Sequence, residues 1–560
     1  MVEPFPPIQR AMLKRGGEDR NPAIQLFGRR FFADQTVAEL LVELLLVASS
    51  AKRIGGHLLD TQVFPEFDLL HTWPRNTHLE YAPKARLNLK LFAFLGASKL
   101  ETRHESHREQ YRKLLSLLNS PHNLEFSGTT DSTEVLRTLE NLFLGFQGIG
   151  GNRTWCAQSF LPIITGLIAG ESIWRETRAR AAISQRWHDA LKFFSHSQAV
   201  FLARGGELLY LQLCNSLRQD ENDIKAWCTE NGFSFSAQEL NPKQLRKDLG
   251  TSINEKIFNA CPETISKIAE FIDTGAEPET AQCTDNEATG DPRFTRCGWC
   301  PTESWPEGLL FAVELVRLCD AVIDPIHRLE LLEIACAMQV LRSLCAQSAR
   351  YVAWRDPQRE SAGPLKYVWA ISDPEGEHTA LKQVSRRCVN ANQRMIYEAI
   401  RHPDILEIVK QQRKIDETGG RPWKHPMAPY MGANGADSRY GHKLFLTLAK
   451  RIGLVVPKRG AGARFVLNDQ LLRFLVMVVI RPGERITYET FKNLVYAHYG
   501  VALDDQMIGQ TCVWCGTGQL TSLGGNSDAW VLKMLDAAGV LIRLSDACSM
   551  VTNPFNGGEE

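Results

Sequence analysis

The strongest constraint on the fold is one run, His327 to Trp354, in which Leu329, Leu332, Cys336, Val340 and Leu344 recur on broadly one helical face. It is long enough to be a central core helix against which other elements must pack. Earlier residues keep the same period. Leu40, Leu41, Leu44, Leu45 and Ala48 follow a 3,4 spacing, and so do Tyr111, Leu114, Leu115 and Leu118. Strand-like alternation is scarce. A chain of 560 residues patterned in this way is expected to be mainly α-helical and multidomain.

Composition shifts mark the parts. Residues 1–265 read as an N-terminal helical domain. From Asp273 to Gly308 the chain is rich in Pro, Gly, Thr and acid without an apolar period, so 266–308 is assigned as an acidic linker or surface loop. Residues 309–466 form a second helical core. Within it a helix is expected from about His378 to Arg401, and His402-Pro403-Asp404 reads as its stop, since the residue before a proline disfavours the α region. A Gly/Pro-rich stretch from Glu417 to Gly441, holding Trp423, Tyr430 and Tyr440, reads as a long loop.

Residues 467–560 have a different pattern. Leu471–Ile480 is apolar, and Thr487–Tyr499 and Asp528–Ala538 look like short amphipathic helices, the second stopped by Gly539. Val540–Thr552 then alternates around a Ser545-Asp546-Ala547 turn. Helices followed by a terminal hairpin predict a small α+β, winged-helix-like module.

Charge sets the functional expectation. The chain carries 64 Lys+Arg and 64 Asp+Glu, a balance that excludes a protein binding polyanions over its whole surface. The balance is local only in sum. Residues 381–466 hold 17 basic and 6 acidic side chains, a net charge of +11, whereas 467–560 carry −4. Arg387, Arg394 and Arg401 are seven apart, so each lies about 20° from the last on a helix and the three form a stripe. Lys382 and Arg386 flank it. Lys410, Arg413, Lys414, Arg421, Lys424, Lys443, Lys450, Arg451, Lys458, Arg459 and Arg464 follow, interleaved with aromatics and with Gly460-Ala461-Gly462. Cations displace phosphate counterions, and glycines let the backbone approach. A solvated helix face paired with acids elsewhere is the plain alternative.

Motifs for catalysis are few. There is no GxxxxGK[ST] loop, GxSxG elbow or kinase signature set, and His104-Glu105-Ser106-His107 is one residue short of HExxH. No enzyme activity and no cofactor are expected. Of the 14 cysteines, Cys297/Cys300 and Cys512/Cys515 form CxxC pairs that could together hold zinc only if distant segments dock; unligated, reduced thiols are the expected state. Val37–Ser50 is too short and too acidic to span a bilayer, and the N-terminus lacks a signal-peptide pattern, so a cytoplasmic protein without membrane insertion is expected. Asn152-Arg153-Thr154 is a chance-level sequon.

Two further residues stand inside the basic block. Glu398 lies among Arg394, Arg401 and His402, and His442 opens the helix HKLFLTLAKRIG. Together they could orient arginines or act as an acid/base pair; an intrahelical ion pair and a capping histidine is the plain alternative.

The segments YEAIRHP, GHKLFL, PKRGAGARFVLNDQLLRFLV and RPGERITYETFKNLVYAHYG resemble the EH-signature-domain family, the C-component family of Zorya anti-phage defence systems. The resemblance implies an effector that binds double-stranded DNA. It also implies work alongside a membrane motor (ZorA and ZorB) and, in one system type, a helicase/nuclease (ZorD). The signature histidine maps onto His442 and the glutamate onto Glu398, with Glu407 as the alternative. The expected function is largely sequence-independent binding of the DNA backbone. A nucleic-acid hydrolase using the Glu/His pair, and a protein–protein adaptor, remain as alternatives.

Overall fold

The structure, a computed structural model, describes residues 4–7, 21–29, 31, 35–59, 62–75, 77–83, 168, 172–174, 194–196, 205–260, 294–355, 363–419, 440–516, 527–545 and 548–556. The expected helix around Tyr111, the His104–His107 stretch, Asn152 and most of the 417–441 loop lie outside these residues.

The chain is mainly α-helical and multidomain. Its principal helices are α1 (Val37–Ser49), α2 (Gly205–Leu217), α3 (Trp305–Asp320), α4 (Pro325–Arg355), α5 (Thr379–Ile400), α6 (Pro403–Thr418), α7 (His442–Arg451), α8 (Asp469–Val479), α9 (Tyr488–Tyr499), α10 (Asp505–Trp514) and α11 (Ala529–Ala537). The short strands are β1 (Ala51–Ile54), β2 (His57–Leu59), β3 (Leu79–Ala82), β4 (Thr295–Arg296), β5 (Trp369–Ala370), β6 (Val455–Val456), β7 (Arg464–Phe465), β8 (Arg485–Thr487), β9 (Val501–Ala502), β10 (Leu541–Ser545) and β11 (Cys548–Thr552).

The run at 327–354 is the central helix, α4, and it packs against α1, α2, α3, α5, α7 and α8. Its burial exceeds the single face expected: every residue from Ile334 to Ala349 is buried. The polar ones are satisfied by partners. Arg342 donates to both carboxylate oxygens of Glu314 on α3, at 2.7 and 2.9 Å, and Gln339 donates to Gln212 on α2 at 2.8 Å. A buried arginine is tolerable only with such a bidentate partner.

α1 opens with a capping box: Thr36 Oγ1 accepts from Glu39 N–H while Glu39 accepts from Thr36 N–H. Its second acid, Glu43, reaches across to accept from the Gly206 N–H at 2.8 Å at the start of α2. The helices touch there. A Cβ at Gly206 would lie 2.4 Å from Leu44 N, so only glycine allows this approach.

The N-terminal half, expected to be mostly helical, also contributes to a four-stranded antiparallel sheet of β2, β1, β3 and β4. Strands of two to four residues are too short to leave an alternating signature. The linker also ends earlier than assigned. Residues 294–308 are structural: β4 pairs with β3, Cys300 pairs with Phe5, Cys297 and Trp299 are buried, and α3 begins at Trp305.

In the C-terminal part the expected helices and hairpin are present, extended by α10. β8, β11 and β10 form one sheet in that order, so the strand between α8 and α9 joins the hairpin. Glu239, in the short helix Ala237–Leu240, ties this part to the N-terminal half. It accepts from Arg317 at 2.9 Å and Arg481 at 2.6 Å. No helix among the described residues is long and apolar enough to cross a membrane.

Candidate nucleic-acid interface

α5 follows from its period. Leu381, Val384, Cys388, Val389, Met395, Ile396, Ala399 and Ile400 recur on one face and are buried. The helix then stops where Pro403 requires it, and His402 accepts from the Asp404 N–H at 3.3 Å at the start of α6. Polar residues on the buried face fix its position. Ser385 Oγ accepts from the Phe465 N–H at 2.8 Å, and Asn392 donates to the Val368 carbonyl at 2.9 Å. The helix is thereby pinned against β5 and β7.

That pinning turns the opposite face outward. Arg386, Arg387 and Arg394 are exposed, and Arg401 is half-buried at the end of the helix. From Arg387 to Arg401 the stripe spans about 21 Å, a length matching about six phosphates of one DNA strand.

A second element meets this stripe at its N-terminal end. β6 and β7 pair antiparallel, and the loop between them, residues 457–463, exposes Lys458 and Arg459. Gly460 and Gly462 turn the loop at φ +96° and +84°. A Cβ at Gly462 would lie 3.2 Å from the Arg386 guanidinium, so the loop backbone runs directly beside the stripe. Among the described residues, no carboxylate forms an ion pair with Arg386, Arg387, Lys458 or Arg459. Like charges held together without counterions attract a polyanion.

Not every sequence candidate belongs to this surface. Arg464 is buried and corrected to a structural role: it donates to Ser372 Oγ at 2.6 Å, to the Asp373 carbonyl at 2.8 Å and to the Pro374 carbonyl at 2.8 Å. Burial lowers its basicity, Asp373 works against that, and neighbouring Arg386 reinforces it. Lys382 is half-buried beside it, the two flanking Gly376, whose added Cβ would lie 3.1 Å from Lys382 Nζ and 3.2 Å from Arg464 Nη2. Arg451, though exposed, donates to the Gln35 carbonyl ahead of α1, and Lys450 is half-buried. Lys443 is exposed on α7, and Lys410 and Lys414 are exposed on α6. The side chain of Arg413, with Arg421 and Lys424, lies outside the described residues.

The Glu/His pair falls at the far end of the stripe. Glu398 accepts from Arg394 at 2.7 Å, the intrahelical pair expected from their spacing. The Tyr397 ring bridges to His442, with centroids 6.0 Å apart and edge-on. Arg401 lies over the same ring at 3.3 Å. The last turn of α5 and the first turn of α7 therefore bring Glu398, Tyr397, Arg401 and His442 to one corner. The other candidate, Glu407, is exposed on α6 with Lys410 at 3.9 Å. Tyr397 was not singled out by sequence; its position, three and four residues from Arg394 and Arg401, was the available signal.

The CxxC pairs do not assemble. Cys297 packs on α2, its Sγ 4.0 Å from the Glu207 carbonyl, and Cys300 is held by backbone bonds to Phe5. Cys512 and Cys515 instead lie on α10 and at its end, against α5. Burial pushes the Cys300 thiol well above its usual value, away from the thiolate that zinc requires. Among the described residues no cluster of three or more His, Cys, Asp or Glu could hold a metal. No family model, curated protein or solved structure matches the chain.

Proposed function

We propose that this protein binds double-stranded DNA through its phosphate backbone, with little base readout, and that the binding serves anti-phage defence. The observation that carries the reading is the meeting of two exposed cationic elements, the α5 stripe and the 457–463 loop, beside Arg386. An exposed helix face and a glycine-turned loop can follow a backbone. Their cations are neutralisers of phosphate first, and phosphate contacts position a protein on DNA without reading its sequence. The resemblance of the α5–α9 segments to the EH-signature family supports placing the protein as a Zorya C component, partnered by the ZorA–ZorB motor and ZorD. On that reading Glu398 orients Arg394, and His442 braces Tyr397 beneath Arg401, so the signature pair shapes the end of the DNA surface.

The C-terminal part fits a winged-helix variant, from its sheet order and terminal hairpin. Its hairpin exposes Ile542 and Leu544, and Arg543 is paired with Asp536 at 3.0 Å, so this element stands apart from the DNA surface.

The test is a polarisation titration with two unrelated duplexes over a range of salt. Both should bind alike, with log Kd rising steeply with log salt. Reversing Arg386, Arg387, Lys458 and Arg459 to Glu should flatten the slope by about 4 if each meets one phosphate. Unchanged affinity in a variant with wild-type circular dichroism would overturn the assignment.

A further inference from the structure

Tyr397 is an exposed aromatic at the edge of the cationic stripe, and phosphate binding gives it no role. It lies about 60° around α5 from Arg394 and about 40° from Arg401, so it flanks the stripe. It is 44% exposed, whereas its apolar neighbours Met395, Ile396 and Ala399 are buried. The ring is nevertheless held. Arg401 lies over it at 3.3 Å and donates from Nη1 to the Tyr397 carbonyl, also at 3.3 Å, and His442 meets it edge-on at 6.0 Å. A ring fixed in this way loses little freedom when something stacks on it. The charge at this corner also differs from the rest of the stripe. Glu398 engages Arg394 at 2.7 Å, so the positive charge is partly neutralised there. A less cationic, aromatic corner suits the uncharged part of a nucleic acid, its bases. Lys443, exposed beside His442 on the first turn of α7, supplies a cation beyond the ring for a further phosphate.

We propose that Tyr397 is a stacking seat for an unpaired base, so that the protein engages duplex DNA at ends, gaps or forks where one strand is single. The inference rests on the phosphate-backbone reading above and adds the DNA structure that the same surface selects. In an intact duplex each base face is covered by its neighbours, and an aromatic side chain on the outside reaches only sugar and phosphate. An unpaired base is free to turn out and stack. With duplex phosphates along the N-terminal part of the stripe, the first unpaired base falls at the last turn of α5, where Tyr397 stands. Stacking of this kind tolerates any sequence, because every base has a π face, and so it agrees with binding that has little base readout.

The test uses the full chain and one duplex carrying either of two single-stranded tails, one with bases and one abasic, so that the phosphates are the same. In polarisation titrations the wild type should bind the base-bearing tail about tenfold more tightly than the abasic one. The readout is that ratio. Tyr397→Ala should bring it close to one, and Tyr397→Trp should keep it. Equal affinity of the wild type for the two tails, with both bound, would overturn the stacking seat and leave the phosphate reading standing. Failure to bind either DNA would overturn the phosphate reading and the seat with it. A ratio that persists in Tyr397→Ala would place the base elsewhere and also overturn the proposal. Irradiating the wild type with a tail that carries 5-iodouracil at its first unpaired position should cross-link the peptide holding Tyr397. Cross-linking confined to another peptide would refute the seat, and this readout needs no variant to fold.

Discussion

At the scale of single residues, long-range ion pairs decide where the helices meet. Glu314 on α3 accepts from Arg342 on α4 and from His498 Nδ1 on α9 at 2.8 Å, all three fully buried. Burial makes His498 harder to protonate, and the bond to Glu314 works against that. None of this was legible in the sequence. The partners are 28 and 184 positions apart, and each alone looks like an ordinary polar residue in an apolar run. Glu398 and Arg394 were legible because a four-residue spacing carries its own geometry. Glu239 gives the residue-scale prediction. Burial raises its carboxyl, but Arg317, Arg481 and the Ser236 N–H outweigh that and bring it down to about 2. A carboxylate depressed in the folded state adds stability that is present above its unfolded value, near 4.5, and is lost as pH falls toward 2. Discounted for the partly exposed Arg481, the contribution is about 2 kcal/mol at neutral pH. Glu239→Gln should lower stability by about that amount at pH 7 and converge on wild type near pH 2 in urea titrations. A constant difference across that window would refute the role.

Elements were legible in proportion to their length. α4, α5, α8, α9 and the terminal hairpin announce themselves by period, whereas β4, β5 and β9 do not, since two residues carry no pattern. The segment 294–308 was misread for a related reason. Its buried Phe294, Cys297, Trp299 and Cys300 are embedded among Thr, Pro and Gly that resemble a linker. At this scale the C-terminal helices depend on one lysine. Lys492 on α9 reaches Glu489 at 3.0 Å, Asp528 at 3.3 Å and Asp504 at 3.4 Å, and Asp504 is the N-cap of α10. Burial opposes its charge, but the three acids together keep it protonated. Lys492→Met removes the cation and leaves the carboxylates facing one another, so α9, α10 and α11 should loosen together. A loss of about 3 kcal/mol in denaturant titration is expected, with Asp528→Asn recovering part of it. If the single and double variants are equally stable, the lysine does not hold these helices.

At the scale of the whole molecule, one helix joins parts whose charges are opposed. α4 contacts the N-terminal helices α1 and α2, the basic α5 and α7, and α8 of the C-terminal part. Sequence supplied the charge segregation, because counting by block needs no contacts. It could not show that Arg464 faces inward and Arg451 is tied to the Gln35 carbonyl while Arg386 and the 457–463 loop converge. Through this common core, the proposed DNA binding should register in the stability of the entire chain. A ligand that binds only the folded state adds RT ln(1 + [L]/Kd), about 2.7 kcal/mol when duplex is present at 100 times Kd. With α4 coupling the parts, that gain should raise one melting transition as a unit, including the buried tryptophans Trp73 and Trp299. The rise should vanish at high salt, where counterion release no longer drives binding. It should vanish equally in the Arg386→Glu, Arg387→Glu double variant, whose stability without DNA should stay within about 0.5 kcal/mol of wild type because both side chains are exposed. A DNA-induced shift that survives both the salt and the double variant would mean that duplex DNA binds another face of the molecule.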